Sequence, residues 1–217
     1  MNGVFITFEG TEGSGKSTQI ALLEERLRGR GRGVRLLREP GGTPIGEEIR
    51  HTLKHSPHNR AMTGEAELLL MNASRAQLVR ELIRPALAAG EMVLCDRFYD
   101  STVAYQGYGR GLDLTEVNRI IDFAVGETRP NLTLLLHVPP SISETRRKIR
   151  QRQTEPARDR FEEAERAFFD RVEQGYRAIL AAEPQRIKWI DATREIPVIS
   201  GEIWQWVEPW VPAVIGG

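Results

Sequence analysis

Residues 10 to 18 read GTEGSGKST, fitting the pattern G-x-x-x-x-G-K-[ST], and stand between the apolar, β-branched run Val4 to Phe8 and a helix-forming stretch. A strand, a glycine-rich turn and a helix in that order constrain the fold more than any other feature, because together they build a phosphate-binding loop at the end of a sheet strand. Gly10, Gly13 and Gly15 permit backbone angles that let successive N–H groups converge on phosphate oxygens, and the helix beginning near Lys16 directs its positive end at them. Lys16 adds a point charge for the β- and γ-phosphates, and Ser17 offers a hydroxyl to Mg²⁺. Thr11, Glu12, Ser14 and Thr18 complete the loop. A turn that only joined strand to helix would not need Gly15, Lys16 and Ser17 in succession.

Strand-like runs recur at 4–8, 34–37, 92–95, 132–138 and 187–190, with helix-period segments at 16–29, 45–54, 64–88, 115–125, 142–152, 161–181 and 195–207. This alternation predicts an α/β fold of three layers, a five-stranded parallel sheet flanked by helices in the manner of P-loop NTPases. The run from Leu132 to Leu136 is almost wholly apolar, as a strand covered on both faces should be. Pro85 is expected to bend or end the third helix. A chain of 217 residues at 40% hydrophobic content suffices for one well-buried domain, so residues 1–217 are read as one.

Thirty basic residues balance thirty acidic ones, so the chain lacks the global positive field of a nucleic-acid binder, and any anion site must be built locally. The single cysteine, Cys95, excludes an internal disulfide, suits a reducing compartment and reads as core packing in a strand. The first strand begins within a few residues of the start, and no run approaches the ~20 apolar residues of a membrane span. A cytoplasmic protein with no membrane partner is expected. The exceptional stretch is 146–160, RRKIRQRQTEPARDR, with six arginines and one lysine in fifteen residues, a solvated and mobile surface unless something anionic binds there.

A phosphate loop leaves the reaction open. The chain has no N-K-x-D guanine-reading motif and no L-S-G-G-Q segment, which argues against a GTPase and a transporter ATPase. What remains is a small chain with the loop near its start, a D-R pair at 96–97 ending the third strand, and an arginine-dense segment after the fourth. That is the layout of a nucleoside monophosphate kinase. Transfer between two nucleotides requires their phosphates to meet in line, and their oxygens repel unless several cations stand among them.

The segments FEGTEGSGKST at 8–18, REPGGTPIGEEIR at 38–50, RAQLVRELIRPAL at 75–87, DRFYDSTVAYQGYGRG at 96–111, RPNLTLLLHV at 129–138 and DRFEEAERAFFDRVEQGY at 159–176 resemble the bacterial thymidylate kinases. The resemblance implies ATP with Mg²⁺ over Gly13, Gly15, Lys16, Ser17 and Thr18, and acceptor dTMP across the carboxyl ends of the strands. It makes Arg97 a clamp on the acceptor phosphate and gives Asp96 the Mg²⁺ or its waters, where the alternative is a surface ion pair. Glu12 would accept from the acceptor 3′-hydroxyl, against a plain solvent-facing position. Arg38 and Arg50 flank the EPGG turn beside the acceptor pocket, and each reads equally as a surface charge. Arg75 would reach a thymine carbonyl, with Thr102 and Gln106 as polar partners of the base. Tyr105 would crowd the sugar 2′-carbon, or else be a core aromatic. A homodimer packed through helices is also implied, and the apolar faces of 64–88 and 115–125 would serve.

The chain departs from the family pattern in three places. One class of these enzymes carries an arginine in the phosphate loop where this chain has Gly13, so the missing charge is expected from a lid at about 146–160. Arg150, Arg152, Arg158 and Arg160 are its candidates, although QTEPA is inserted before Arg158. Met71 stands where the family stacks a phenylalanine on thymine, and weaker acceptor binding is expected. His137 replaces an aspartate and is given no role. Three functions stay open: a dTMP kinase, a kinase of the same fold with another acceptor, and a non-catalytic nucleotide-binding protein.

Overall fold

The computed structural model describes residues 3–139, 141–143, 145–146 and 166–211. Its centre is a parallel sheet of β1 (Val4–Glu9), β2 (Val34–Arg38), β3 (Met92–Asp96), β4 (Leu132–His137) and β5 (Ile187–Asp191), in the order β2-β3-β1-β4-β5. All five strands fall where the sequence predicts them, each end shifting by no more than one residue.

Strand alternation sorts the β1 side chains into two layers. Val4, Ile6 and Phe8 face one side and pack with Ile20, Leu23 and Leu27 of α1 (Lys16–Gly29). The C-terminal helix Ile196–Val207 covers the same side with Ile199, Ile203 and Trp204. Phe5 faces the other side, with Val93 and Cys95 of β3, against α3 (Gly64–Leu78) and the helix Leu114–Val125. Cys95 is fully buried there, as its strand setting predicts. Between α1 and α3 lies α2 (Pro44–His55), capped by Thr43, whose hydroxyl accepts from the Gly46 N–H at 3.0 Å.

Two helical readings change. The expected break at Pro85 is instead a change of winding: the helix widens into a π turn over Val79–Ile83 and resumes as α4 (Arg84–Ala88). Pro85 then sits in a first turn, where its missing N–H leaves no bond unmade. A helix that the sequence does not predict, α5 (Tyr99–Thr102), runs on with π winding over Val103–Gly109. Its VAYQGYG segment mixes β-branched, aromatic and glycine residues, a poor intrinsic helix former, so tertiary packing overrides propensity. After the helix Leu114–Val125, numbered α6, comes the 17-residue helix α7 (Arg166–Ala182). Gly175 of α7 lets it lie against α5, since a Cβ there would come within 3.0 Å of the Ala104 Cα. Residues 141–143 and 145–146 are helical, while the rest of the helix expected at 142–152, residues 161–165 and the tail from 212 lie outside the described residues.

Because β1 is flanked by β3 and β4, the carboxyl ends of three strands open into one crevice at the point where strand order reverses.

Candidate active site

The phosphate loop leaves β1 through Gly10 at φ +130, where a Cβ would stand 2.2 Å from the Leu136 carbonyl oxygen of β4. Only glycine fits that approach. Gly15 at φ +92 turns the chain into α1, so the N-terminal amides of α1 face the crevice. Lys16 is buried, and its Nζ donates to the carbonyls of Gly10 and Thr11, each at 3.2 Å. Burial, reinforced by the positive charge of Arg97, pulls Lys16 down to about 8, while Asp96, Glu9 and Glu12 act the other way.

Two cavities meet in front of this loop. The phosphate cavity is lined by Gly13, Gly15, Lys16, Ser17, Thr18, Arg38, Arg50 and Asp96. The acceptor cavity is lined by Met71, Arg75, Phe98, Thr102, Tyr105, Gln106 and Phe169. Glu12, Glu39, Lys54 and Arg97 border both, so the predicted phosphate clamp stands at the junction. Gly10 and Thr11 border a third hollow with His137, and Ser14 is buried behind the loop. The four lid candidates Arg150, Arg152, Arg158 and Arg160 lie outside the described residues.

Arg97 follows β3 with φ +71, a left-handed conformation that a long side chain adopts only when its surroundings enforce it. Its N–H donates to the Phe8 carbonyl at 2.9 Å, which extends the β3–β1 pairing by one residue. Its guanidinium donates to Ser101 Oγ at 3.0 Å, Tyr176 OH at 3.4 Å and Tyr105 OH at 3.5 Å. Behind it lies Glu9, the last residue of β1, which the sequence reading missed although a carboxylate closing an apolar strand beside Gly10 was a visible signal. Glu9 Oε1 accepts from the Phe98 N–H at 2.7 Å and the Ser101 N–H at 3.3 Å. Burial, with Asp100 adding to it, raises Glu9 to about 7 against Arg97, the Ser101 hydroxyl and the Phe98 N–H.

At the far end of the acceptor cavity Arg75 is almost wholly buried, and its Nη2 lies 2.6 Å from Glu39 Oε2. Nη1 donates to Asn72 Oδ1 at 2.9 Å and Nη2 to the Phe98 carbonyl at 3.3 Å. A buried ion pair with further hydrogen bonds fixes a guanidinium in place, even where it adds little net stability. Arg38 and Arg50 both donate to the Pro40 carbonyl, at 3.1 and 2.9 Å, and Arg38 also pairs with Glu47 at 2.8 Å. Both arginines therefore line the crevice while anchored to the turn.

Three buried polar atoms have no partner among the described residues and border the loop or its cavities: Ser14 Oγ, Glu39 Oε1 and Asp96 Oδ1. Arg146, in the arginine-dense segment but outside the four candidates, donates to the Ala192 carbonyl at 3.0 Å and borders the phosphate cavity. His137 stacks on Trp189 with ring centroids 4.3 Å apart, its Nε2 3.4 Å from Glu173.

A phosphate loop after β1, an aspartate–arginine pair after β3 and two cavities joined at that arginine define a P-loop kinase of the class that acts on nucleoside monophosphates. The family profile "Thymidylate kinase" matches residues 8–203, and the chain belongs to that family. It is 47% identical to a thymidylate kinase from Synechococcus sp. over 99% of this chain and 98% of the relative. It is 48% identical to one from Syntrophotalea carbinolica over 92% and 93% of the two chains. Among solved structures, thymidylate kinase from Ehrlichia chaffeensis matches with a TM-score of 0.75 at 31% identity, covering 96% of this chain and 99% of that one.

Proposed function

We propose that this chain transfers the γ-phosphoryl group of ATP to dTMP. The observation that carries it is Arg97 at the junction of the two cavities, held by three hydroxyls in front of the phosphate loop. Donor phosphates over Gly13, Gly15, Lys16, Ser17 and Thr18 then face an acceptor phosphate on Arg97. An acceptor phosphate oxygen bonds to the γ-phosphorus as the bridging P–O bond to the β-phosphate breaks, and ADP leaves with that electron pair. The protein positions the two groups and offsets their charge; it forms no covalent bond.

Lys16 and Arg97 supply two of the cations this transfer needs. Arg150, Arg152, Arg158 and Arg160 are the candidates for the transition-state charge that Gly13 does not provide, and Arg146 is a further one. Mg²⁺ fits Ser17 and Asp96, because Asp96 Oδ1 is buried beside the phosphate cavity without a protein partner. Magnesium ordinarily takes one or two protein ligands alongside substrate phosphates, and when bound it neutralises charge between the β- and γ-oxygens. Glu12 faces the sugar, Arg38 and Arg50 flank the acceptor phosphate, Thr102 and Tyr105 pack on the nucleoside, and Arg75 and Gln106 take the base edge.

We read the whole chain as one catalytic domain and as a cytoplasmic protein, a reading that nucleotide substrates and the buried free thiol Cys95 support. No helix among the described residues is long and apolar enough to cross a membrane. Leu69 of α3 and Phe123 of α6 are exposed, at 56% and 85%, and suit a homodimer packed through those helices. Phe123→Glu should then lower the mass seen by analytical ultracentrifugation by half, and an unchanged mass would reject that face.

The decisive experiment is a coupled ADP-release assay across dTMP, dUMP, UMP, CMP, AMP and GMP. Preferred turnover of dTMP supports the assignment. Preference for another monophosphate would give this fold a different acceptor, and ATP binding without any turnover would make the chain a binding protein.

A further inference from the structure

Glu67 of α3 is a carboxylate with no solvent exposure that none of the substrate contacts above uses. Arg110 holds it with two donors, Nε to Oε1 at 3.2 Å and Nη2 to Oε2 at 2.9 Å. The Gln106 amide nitrogen donates to the same Oε1 at 2.7 Å, and Gln106 is itself buried. An ionised carboxylate accepts and cannot donate, so the amide has one orientation available, nitrogen toward Glu67. Gln106 lines the acceptor cavity, and no donor among the described residues engages its Oε1, so an acceptor oxygen is what it offers there.

Arg75, which lines the same cavity, has five N–H groups. Its Nε and Nη2 meet Glu39 and the Phe98 carbonyl, and one Nη1 hydrogen meets Asn72, which leaves one Nη1 hydrogen for a ligand. A fixed donor and a fixed acceptor lining one cavity match a base edge with a carbonyl beside an N–H, as in thymine and uracil. Cytosine carries the reverse, an amino group beside a bare ring nitrogen.

We propose that Glu67 is a specificity-determining positioning residue: by locking the orientation of the Gln106 amide, it makes the acceptor cavity take bases with a carbonyl–imide edge and refuse cytosine. This rests on the acceptor reading given above. A free glutamine could turn over and present its NH₂ to cytosine, whereas one held by an ionised carboxylate cannot.

The isosteric variant Glu67→Gln isolates the effect. Its carboxamide has one oxygen where the carboxylate had two, and Arg110 donates to both positions; with the NH₂ toward Gln106, that residue turns its own oxygen to the donor and its nitrogen to the cavity, so the lock on a single orientation is lost. The dCMP-to-dTMP ratio should rise at least about tenfold, both in kcat/KM with ATP and in equilibrium binding of the monophosphate alone. Glu67→Asp, which keeps an acceptor-only group, should leave the ratio near the parent value. A purely structural role would lower both substrates together, so an unchanged ratio in Glu67→Gln overturns the proposal. If Glu67→Gln does not fold, Glu67→Met decides on the same criterion, since it leaves no oxygen to hold the Gln106 amide. A parent protein without dTMP turnover would count against the kinase reading, and the binding ratio would still judge Glu67.

Discussion

Glu9 and Arg97 share no hydrogen bond or ion pair, yet two hydroxyls tie them together: Ser101 Oγ lies 2.5 Å from Glu9 Oε2 and 3.0 Å from Arg97 Nη1, and Tyr176 OH lies 2.9 and 3.4 Å from the same groups. The carboxylate at the end of β1 thus orients, through α5 and α7, the guanidinium proposed to hold the acceptor phosphate. Glu9→Gln and Tyr176→Phe should each raise the KM for dTMP, by about tenfold for Glu9→Gln, with a smaller change in kcat. An unchanged KM in both would remove Glu9 from the positioning of Arg97.

The same carboxylate makes stability depend on pH. Its folded value of about 7 is raised above the ordinary 4.5, so below pH 4.5 it is protonated in both states and no penalty arises. As pH rises through 7 the folded state must hold a buried charge, and stability falls, by on the order of 3 kcal/mol. Urea titrations of the parent and Glu9→Gln between pH 4.5 and 8 should show the variant losing less stability over that window. Parallel curves would contradict it.

Lys16 works in the opposite sense. Its value of about 8 lies below the ordinary 10.5, so at pH 8 roughly half of the free protein has a neutral amine there. Triphosphate binding favours the ammonium, so ATP should take up about half a proton at pH 8 and almost none at pH 6. Calorimetry in two buffers of different ionisation enthalpy measures this directly. Equal apparent enthalpies at pH 8 would refute it.

Met71 lines the acceptor cavity together with Phe98 and Phe169. Stacking on a base contributes ~1–3 kcal/mol, against ~0.3–1.5 for a methionine sulfur on a ring. Met71→Phe should lower the KM for dTMP by about fivefold, and a higher KM would show that the ring does not fit.

Gly10 carries the tightest approach in the site, 2.2 Å from a would-be Cβ to the Leu136 carbonyl, with φ +130 besides. Gly10→Ala should destabilise the fold by more than about 3 kcal/mol and remove phosphate binding with it. Thermal unfolding close to that of the parent would refute the packing argument.

How much could be read in advance varies residue by residue, and the reason is range. Lys16 and Ser17 were legible because a phosphate cradle is built from adjacent amides, so its chemistry is written in consecutive letters. Asp96 and Arg97 were legible as a strand terminus, although the left-handed turn of Arg97 was not. Glu67, Ser101 and Tyr176 were not legible: Glu67 meets Gln106 39 residues away, Ser101 and Tyr176 meet Glu9 across 92 and 167, and nothing local marks them as partners. Helix α5 was missed for a related reason, since its winding is held by α7 rather than by its own propensities.

The sequence by itself determined the parallel sheet, the loop at the end of β1 and the residue types that the loop brings to the cavity in front of it, because strand alternation, glycine freedom and helix-terminal amides act over a few neighbouring residues. Only the tertiary structure decided where those groups point. The junction at Arg97, the bond from Glu9 through two hydroxyls and the locked amide of Gln106 each need side chains from separate elements brought within hydrogen-bonding distance. That proximity is a property of how β1, β3, α3, α5 and α7 pack, and no local pattern in the chain encodes it.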